Sequence, residues 1–292
     1  MAVTEHEVFG RPFSTDPSRW RDRSTSGRKV PTEVLVLGMP RTGTASMVQA
    51  LKILGYHDIH HMAACISEPL QNELWHQAVD AKWFGKRKPF ERKEWDVLLG
   101  GCMAVTDFPS SAFAEDLIMA YPEAKVILNT RPVDAWYRSA NETCGEVLRD
   151  PSLRMFALAG DPFCSRWTPM VRALWSGFFG IPDGPFGFGG DLMNEDILKR
   201  RYVEHYEMVG RLVPKERLYE KDITEGWVGM CEFLGKPIPA VPYPRMNDRE
   251  EFSRSMGVMV QAGVARLRRL SLKVVGSVFG LVAAVWLLKR LL

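Results

Sequence analysis

The chain of 292 residues has no C-x-x-C pair, and its five cysteines, Cys65, Cys102, Cys144, Cys164 and Cys231, are odd in number and far apart. A structural zinc site and a redox dithiol therefore lose their sequence basis, and no metal is expected. Single cysteines acting as small apolar residues in a reducing compartment fit better. Net charge is scarce as well, and a formal +3 gives no ground for nucleic-acid binding. The N-terminus lacks an apolar run, residues 4–29 being polar and charged, which argues against a secretory leader. Internal repeats are missing too. The apolar and charged fractions, 46% and 25%, are those of an ordinary globular protein, long enough for one large α/β domain or two small ones.

What the chain does have is one long uncharged stretch. Residues 274–288 carry no charge and lie between Lys273 and Lys289. As a helix they span about 22 Å, against roughly 30 Å of bilayer hydrocarbon. Leu270, Leu272, Leu291 and Leu292 lengthen the apolar run, and the flanking lysines can snorkel. Arg266, Arg268, Arg269, Lys273, Lys289 and Arg290 suit an anionic membrane surface. The expectation is a single C-terminal membrane-spanning helix over residues 257–292, holding a cytosolic catalytic body at the endoplasmic reticulum or the mitochondrial outer membrane. A buried or interfacial C-terminal helix is the other reading.

Ahead of that tail the sequence alternates. Residues 1–30 read as a polar arm, partly ordered through Phe9, Phe13 and Trp20. Residues 33–38 form a branched apolar run ending at Gly38, which predicts a buried strand. Met47, Ala50, Leu51 and Leu54 then recur at helical spacing, closed by Gly55. A second strand-helix unit is expected over residues 57–81, a strand at 103–106, and a helix capped by Ser110 and running to Ala120. The clearest later strand is 125–130, with Pro132 opening a helix to about Leu148. Residues 150–190 break the rhythm with aromatics among prolines and glycines, as an irregular lid or as packing over a sheet edge. A long helix over 194–212, a strand at 217–220 and a helix over 225–234 follow. Such alternation predicts an α/β, P-loop NTPase-like three-layer fold over residues 31–256, its sheet mostly parallel with helices on both faces.

The segment Gly38-Met39-Pro40-Arg41-Thr42-Gly43-Thr44 joins the first buried strand to a helix N-terminus, where backbone N–H groups and the helix dipole favour an anion. Gly38 and Gly43 have the Walker A spacing, but Thr44 stands where lysine belongs, which argues against an ordinary ATPase or GTPase. Arg41 supplies charge inside the loop, Thr42, Thr44 and Ser46 supply hydroxyls, and Ala45 contributes its amide.

This loop resembles the 5′-phosphosulfate loop of cytosolic sulfotransferases, Tyr-Pro-Lys-Ser-Gly-Thr. Thr130-Arg131-Pro132 with Ser139 resembles that family's arginine and serine at the donor's 3′-phosphate. Thr106-Asp107-Phe108-Pro109 sits where the family carries Thr-His-x-Pro with its general-base histidine. The likeness is nearest to a fungal and bacterial branch with the loop x-Arg-Thr-Gly-Thr-x-Ser, through His60-His61-Met62, residues 120–128, Trp136-Tyr137-Arg138-Ser139, Glu225-Gly226-Trp227 and residues 247–252. It runs from about Val34 to Phe252.

The resemblance implies a sulfuryl transferase that uses 3′-phosphoadenosine-5′-phosphosulfate as donor substrate. Arg41, Thr42, Gly43, Thr44, Ala45 and Ser46 would grip the 5′-phosphosulfate, and Arg131 and Ser139 the 3′-phosphate. The aromatic segment and the tail favour a lipophilic small-molecule acceptor. Two departures stand out. Arginine replaces the loop lysine, and Asp107 replaces the catalytic histidine. Asp107 is either the base or a cap on the following helix, and an ordinary carboxyl is a weak base for a hydroxyl unless burial raises its pKa. His61, beside His57 and His60, is the other candidate base, against a reading of all three as structural. Trp136 and Tyr137 either stack on a nucleobase or pack a helix. Without the histidine, a sulfotransferase fold with other chemistry (dehydration, cyclisation or hydrolysis) or a membrane-tethered nucleotide-binding protein is the alternative.

Overall fold

In the computed structural model the described residues are 5–8, 11–14, 16–22, 27–184, 190–246, 250 and, with gaps, 253–268. The arm begins as an antiparallel hairpin of β1 (Glu5–Val8) and β2 (Arg11–Ser14), pairing His6 with Phe13. Trp20 is buried in the main core; Phe9 lies outside the described residues.

The first buried run becomes β3 (Val34–Val36), and after the phosphate loop comes α1 (Thr44–Ile53). Helices α2 (Met62–Ser67), α3 (Gln71–Phe84) and α4 (Arg92–Leu99) precede β4 (Ala104–Val105). Then follow α5 (Ala114–Ala120), β5 (Lys125–Thr130) and α6 (Val133–Arg149). The chain continues through α7 (Pro151–Leu158), α8 (Cys164–Phe179), α9 (Glu195–Leu212), β6 (Leu218–Asp222) and α10 (Val228–Leu234).

The four strands β4-β3-β5-β6 form one parallel sheet, with Val34 opposite Ala104 and Lys125, and Thr130 opposite Asp222. Strand alternation divides the core in two. Leu35, Val105, Val126 and Leu128 face a large core with residues of α3 to α6 and α8. Val34, Val36, Ala104 and Ile127 face a smaller one made with α1 and α10. A parallel sheet covered on both faces is what its near-continuous apolar strands require.

Three local expectations are corrected. Residues 57–81 supply no strand: His60 makes a single parallel bridge to Val105, and the rest turns into α2 and α3. Ser110 does not cap a helix. It starts a buried 3-10 turn, Ser110–Phe113, with its Oγ 3.0 Å from His60 Nδ1, and α5 begins only at Ala114. Residues 150–190 are mostly helix. Pro151 occupies the first turn of α7, where its missing N–H costs nothing, and Asp150 caps it. Pro169 lies inside α8 and forfeits one bond, while the aromatics at 167, 175, 178 and 179 are buried in the large core.

Helical residues beyond 255 lie on the domain: Met256 is buried, Gly263 abuts the Phe156 ring, and Arg266 pairs with Asp161. Among the described residues no helix is long and apolar enough to cross a membrane. The expected anchor falls in 269–292, and most of the 247–252 motif falls in 247–249 and 251–252, all outside the described residues.

Candidate functional site

The phosphate loop is shaped by side chains that take hold of its carbonyls. His205 donates through Nε2 to Leu37 O at 2.7 Å, Trp136 Nε1 to Pro40 O at 2.8 Å, Arg131 Nη1 to Arg41 O at 3.0 Å, and Asn129 Nδ2 to Thr42 O at 2.9 Å. Thr42 Oγ1 donates to Met39 O at 2.6 Å. Burial pushes the His205 pKa down to about 4, so the ring is neutral and one nitrogen carries the donated hydrogen. Five carbonyls are thus drawn into bonds with protein. Helix geometry leaves the N–H groups of Thr44, Ala45 and Ser46 without intrahelical acceptors. The result is an amide-lined anion seat at the start of α1.

Two glycines make that geometry feasible. A Cβ on Gly38 would lie 2.3 Å from Asn129 Oδ1 and 2.5 Å from Asn129 O, so only glycine lets β5 approach. Gly43, at the N-cap of α1, has φ 87°, a left-handed conformation glycine adopts without strain. Arg41 also has positive φ, 71°, and its Nε lies 3.4 Å from Ser139 Oγ.

An open cleft of about 980 Å³ spreads from this loop. Its walls include Arg41, Thr42, Gly43, Ser46, Arg131 and Ser139, together with Asn129, Lys221, Tyr243 and Arg245 and one carboxylate, Asp222. Burial, then the neighbouring Arg41 and Arg138, push the Arg131 pKa down. Clustered guanidiniums that repel one another around an amide-lined loop form a site that a multiply charged anion relieves.

On the other side of Arg41 lies a second cavity, partly open to solvent. Met62, Phe108, Val147, Leu148, Trp167, Val171, Leu174 and Trp175 give it apolar walls, with Thr143 and Cys144 from α6. Its ionisable end holds Arg41, His61 and Asp107, with Thr44 beside them. His61 Nε2 is 3.2 Å from Asp107 Oδ2 and 3.2 Å from Thr44 Oγ1, while its Nδ1 accepts from the Ala63 N–H at 3.1 Å and so caps α2. Asp107 also has positive φ, 65°. Burial pushes its pKa up to about 7, opposed by the Phe108 amide, the Arg41 charge and the Met62 amide.

The expected site residues therefore assemble around one arginine. Arg41, Thr42, Gly43, Ser46, Arg131 and Ser139 line the anion cleft, and Thr44, His61 and Asp107 line the apolar cavity. The Ala45 side chain is buried toward Arg11, leaving only its amide for the loop. His60 is held by Ser110 and by Gln71 Oε1 at 2.9 Å, and His57 lies at the surface. Trp136 packs on Tyr202 with ring centres 4.6 Å apart and Tyr137 donates to Met193 O, so both are engaged within the helix layer.

Sequence reasoning missed Asn129, His205 and Tyr206. Tyr206 accepts from the Met39 N–H at 3.2 Å and donates to Asn129 O at 2.7 Å. A polar Asn129 directly after the apolar run Val126-Ile127-Leu128, and His205 and Tyr206 in helical register with Leu198, Tyr202 and Val209, were the available signals.

A family described as "Sulfotransferase domain" matches residues 33–252. "Ava biosynthesis cluster protein M" from Aspergillus versicolor is 35% identical over 217 residues, which is 73% of this chain and 80% of that protein. A crystal structure of a sulfotransferase from Alicyclobacillus acidocaldarius aligns over 83% of this chain and 96% of its own, with 17% identity and a TM-score of 0.37.

Proposed function

The chain belongs to the sulfotransferase domain family, and from that premise we propose that it transfers a sulfuryl group from 3′-phosphoadenosine-5′-phosphosulfate to a hydroxyl of a lipophilic small molecule. The observation that carries this reading is the position of Arg41, the side chain that lines both the anion cleft and the apolar cavity holding Asp107.

The loop amides and Arg41 take the 5′-phosphosulfate. Arg131 takes the 3′-phosphate with Ser139: the guanidinium has five N–H donors, and the Arg41 carbonyl occupies one. The acceptor lies among the α6 and α8 side chains with its hydroxyl toward Asp107. The acceptor oxygen forms the new O–S bond while the bond from sulfur to the 5′-phosphate oxygen breaks. The acceptor's proton passes to the Asp107 carboxylate, and the electron pair leaves on the phosphate, where fixed amides and Arg41 hold it. Positioning and charge neutralisation do most of the work, as in phosphoryl transfer. An aspartate with a pKa near 7 is a far better match to this proton transfer than one near 3.8.

The same raised pKa favours a second reading. A carboxyl raised this far holds a proton closer to neutral pH and is also an acid, which in an apolar cavity suits a dehydration or cyclisation with no donor. The relative's name places that protein in a biosynthesis cluster without stating a reaction. Turnover with sulfur-labelled donor against a panel of apolar alcohols and phenols separates the two: label in product supports transfer, and donor-independent conversion of an acceptor supports the second. The uncharged run 274–288 supports tethering at a membrane, which truncation before Leu270 tests by moving the protein from the pelleted to the soluble fraction.

A further inference from the structure

Beside Arg41, the apolar cavity is lined by three polar side chains that barely touch solvent: Thr44, His61 and Asp107, exposed by 1%, 4% and 6%. His61 has a lone pair committed at Nδ1, which accepts the Ala63 N–H. A neutral imidazole has one hydrogen, so it sits on Nε2. That nitrogen is equidistant, 3.2 Å, from Thr44 Oγ1 and Asp107 Oδ2. Both oxygens must accept from it.

We infer that His61 is a positioning residue that couples the phosphate loop to the proton acceptor, its single Nε2 hydrogen shared between Thr44 and Asp107. Two consequences follow from the direction of these bonds. Thr44 accepts from His61, so its own hydroxyl hydrogen points elsewhere, and the amide-lined seat at the start of α1 is beside it. Asp107 receives a hydrogen bond on Oδ2, beside those from the Phe108 and Met62 amides, which favours its ionised form. His61 has no lone pair left for a substrate proton and is not itself the base. An anion in the loop makes Thr44 a donor, which strengthens Thr44 as an acceptor from His61. The shared hydrogen then shifts toward Thr44, and Asp107 becomes more basic when the donor is in place.

Around Asp107, the phosphate loop brings Arg41, the head of α2 brings His61 and the Met62 amide, and Phe108 brings its own amide; α6 lines the same cavity with Thr143 and Cys144, and α8 with apolar side chains and tryptophans. The inference rests on the sulfuryl-transfer reading only in assigning the acceptor's proton to Asp107.

The test compares His61→Ala with His61→Gln in the full-length chain. Glutamine restores an N–H near the Nε2 position but cannot act as a base, and both variants lose the cap on α2, so that loss cancels. His61→Ala is expected to lower kcat by about 10- to 100-fold through misplacement of the base. It should also move the acid limb of the rate profile up by about one pH unit, the worth of one hydrogen bond to a carboxylate. His61→Gln is expected to restore most of the rate and return the limb. Equal loss in both variants, with the limb abolished, would make His61 the base and overturn the inference; so would His61→Ala with unchanged kcat and limb. Nitrogen NMR of histidine-labelled wild type needs no turnover. A neutral Nε2–H ring from pH 6 to 8 is expected with and without adenosine 3′,5′-bisphosphate, and an Nδ1–H ring or free titration contradicts the inference. Loss of sulfuryl turnover with that ring state intact would sink the reaction and leave the coupling standing.

Discussion

The anion cleft and the apolar cavity meet at Arg41 but are built by opposite means. The cleft is made chiefly of backbone: amides at one helix start, with glycines at the two positions where a side chain would collide or strain. Arg41 and Arg131 sit within a few residues of strand ends. The cavity is made of side chains from α6 and α8 and the segments holding His61 and Asp107, brought together only by packing of the large core. A backbone site depends on local sequence and tolerates little change, whereas a side-chain cavity can be re-lined residue by residue while the catalytic edge stays put. A donor common to a family and an acceptor particular to one member would divide between the two in this way.

The largest effect that separates them is expected from Asp107→Asn. It should cut turnover by roughly 10²- to 10⁴-fold, the usual worth of a general base, while binding of adenosine 3′,5′-bisphosphate stays within about threefold. Next comes Arg131→Ala, on the cleft side. Loss of a charge-assisted phosphate contact is expected to weaken bisphosphate binding by about 10- to 100-fold in calorimetry. Because it also releases the Arg41 carbonyl, the loop should loosen, which amide hydrogen exchange over residues 38–44 would register. On the cavity side, Val171→Phe should lower kcat/KM for the acceptor by about tenfold or more by filling space, with bisphosphate affinity unchanged and stability reduced by about 1–3 kcal/mol from overpacking.

A further effect concerns stability against pH. The pKa of Asp107 is higher folded than unfolded, so between about pH 4 and pH 7 the folded state holds a proton that the unfolded state has lost. The contribution is therefore full below pH 4 and fades as pH rises through about 7. Denaturant midpoints of wild type should fall over that window relative to Asp107→Asn, and parallel curves would show that Asp107 titrates as an ordinary carboxyl.

The same contrast explains what was legible in the sequence. The run from Val34 through Thr44 could be read because strand, turn and helix start are local, and each residue's role follows from its neighbours. Arg131 and Ser139 were legible for the same reason, the first directly after β5 and the second eight residues later in α6. The cavity was not. Residues 150–190 look irregular because Pro151 and Pro169 stand among aromatics, yet a proline in a first turn is neutral and a well-packed helix absorbs another. Trp167, Val171, Leu174 and Trp175 do recur at helical spacing, a signal that the prolines outweighed. Nor does any local pattern reveal that Asn129, His205 and Tyr206 hold the loop, since their partners are about 70 to 170 residues away. The pairing of His61 with Asp107 spans the sequence between α2 and the end of β4, and the parallel bridge from His60 to Val105, with the His60–Ser110 hydrogen bond, brings the two segments side by side.

The most direct test of two cavities with separate duties is calorimetric titration of adenosine 3′,5′-bisphosphate into wild type, Arg131→Ala and Asp107→Asn. One-to-one binding to wild type, retained in Asp107→Asn and lost or greatly weakened in Arg131→Ala, is the expected result. Failure of wild type to bind, or binding that ignores Arg131 and depends on Asp107, would contradict it.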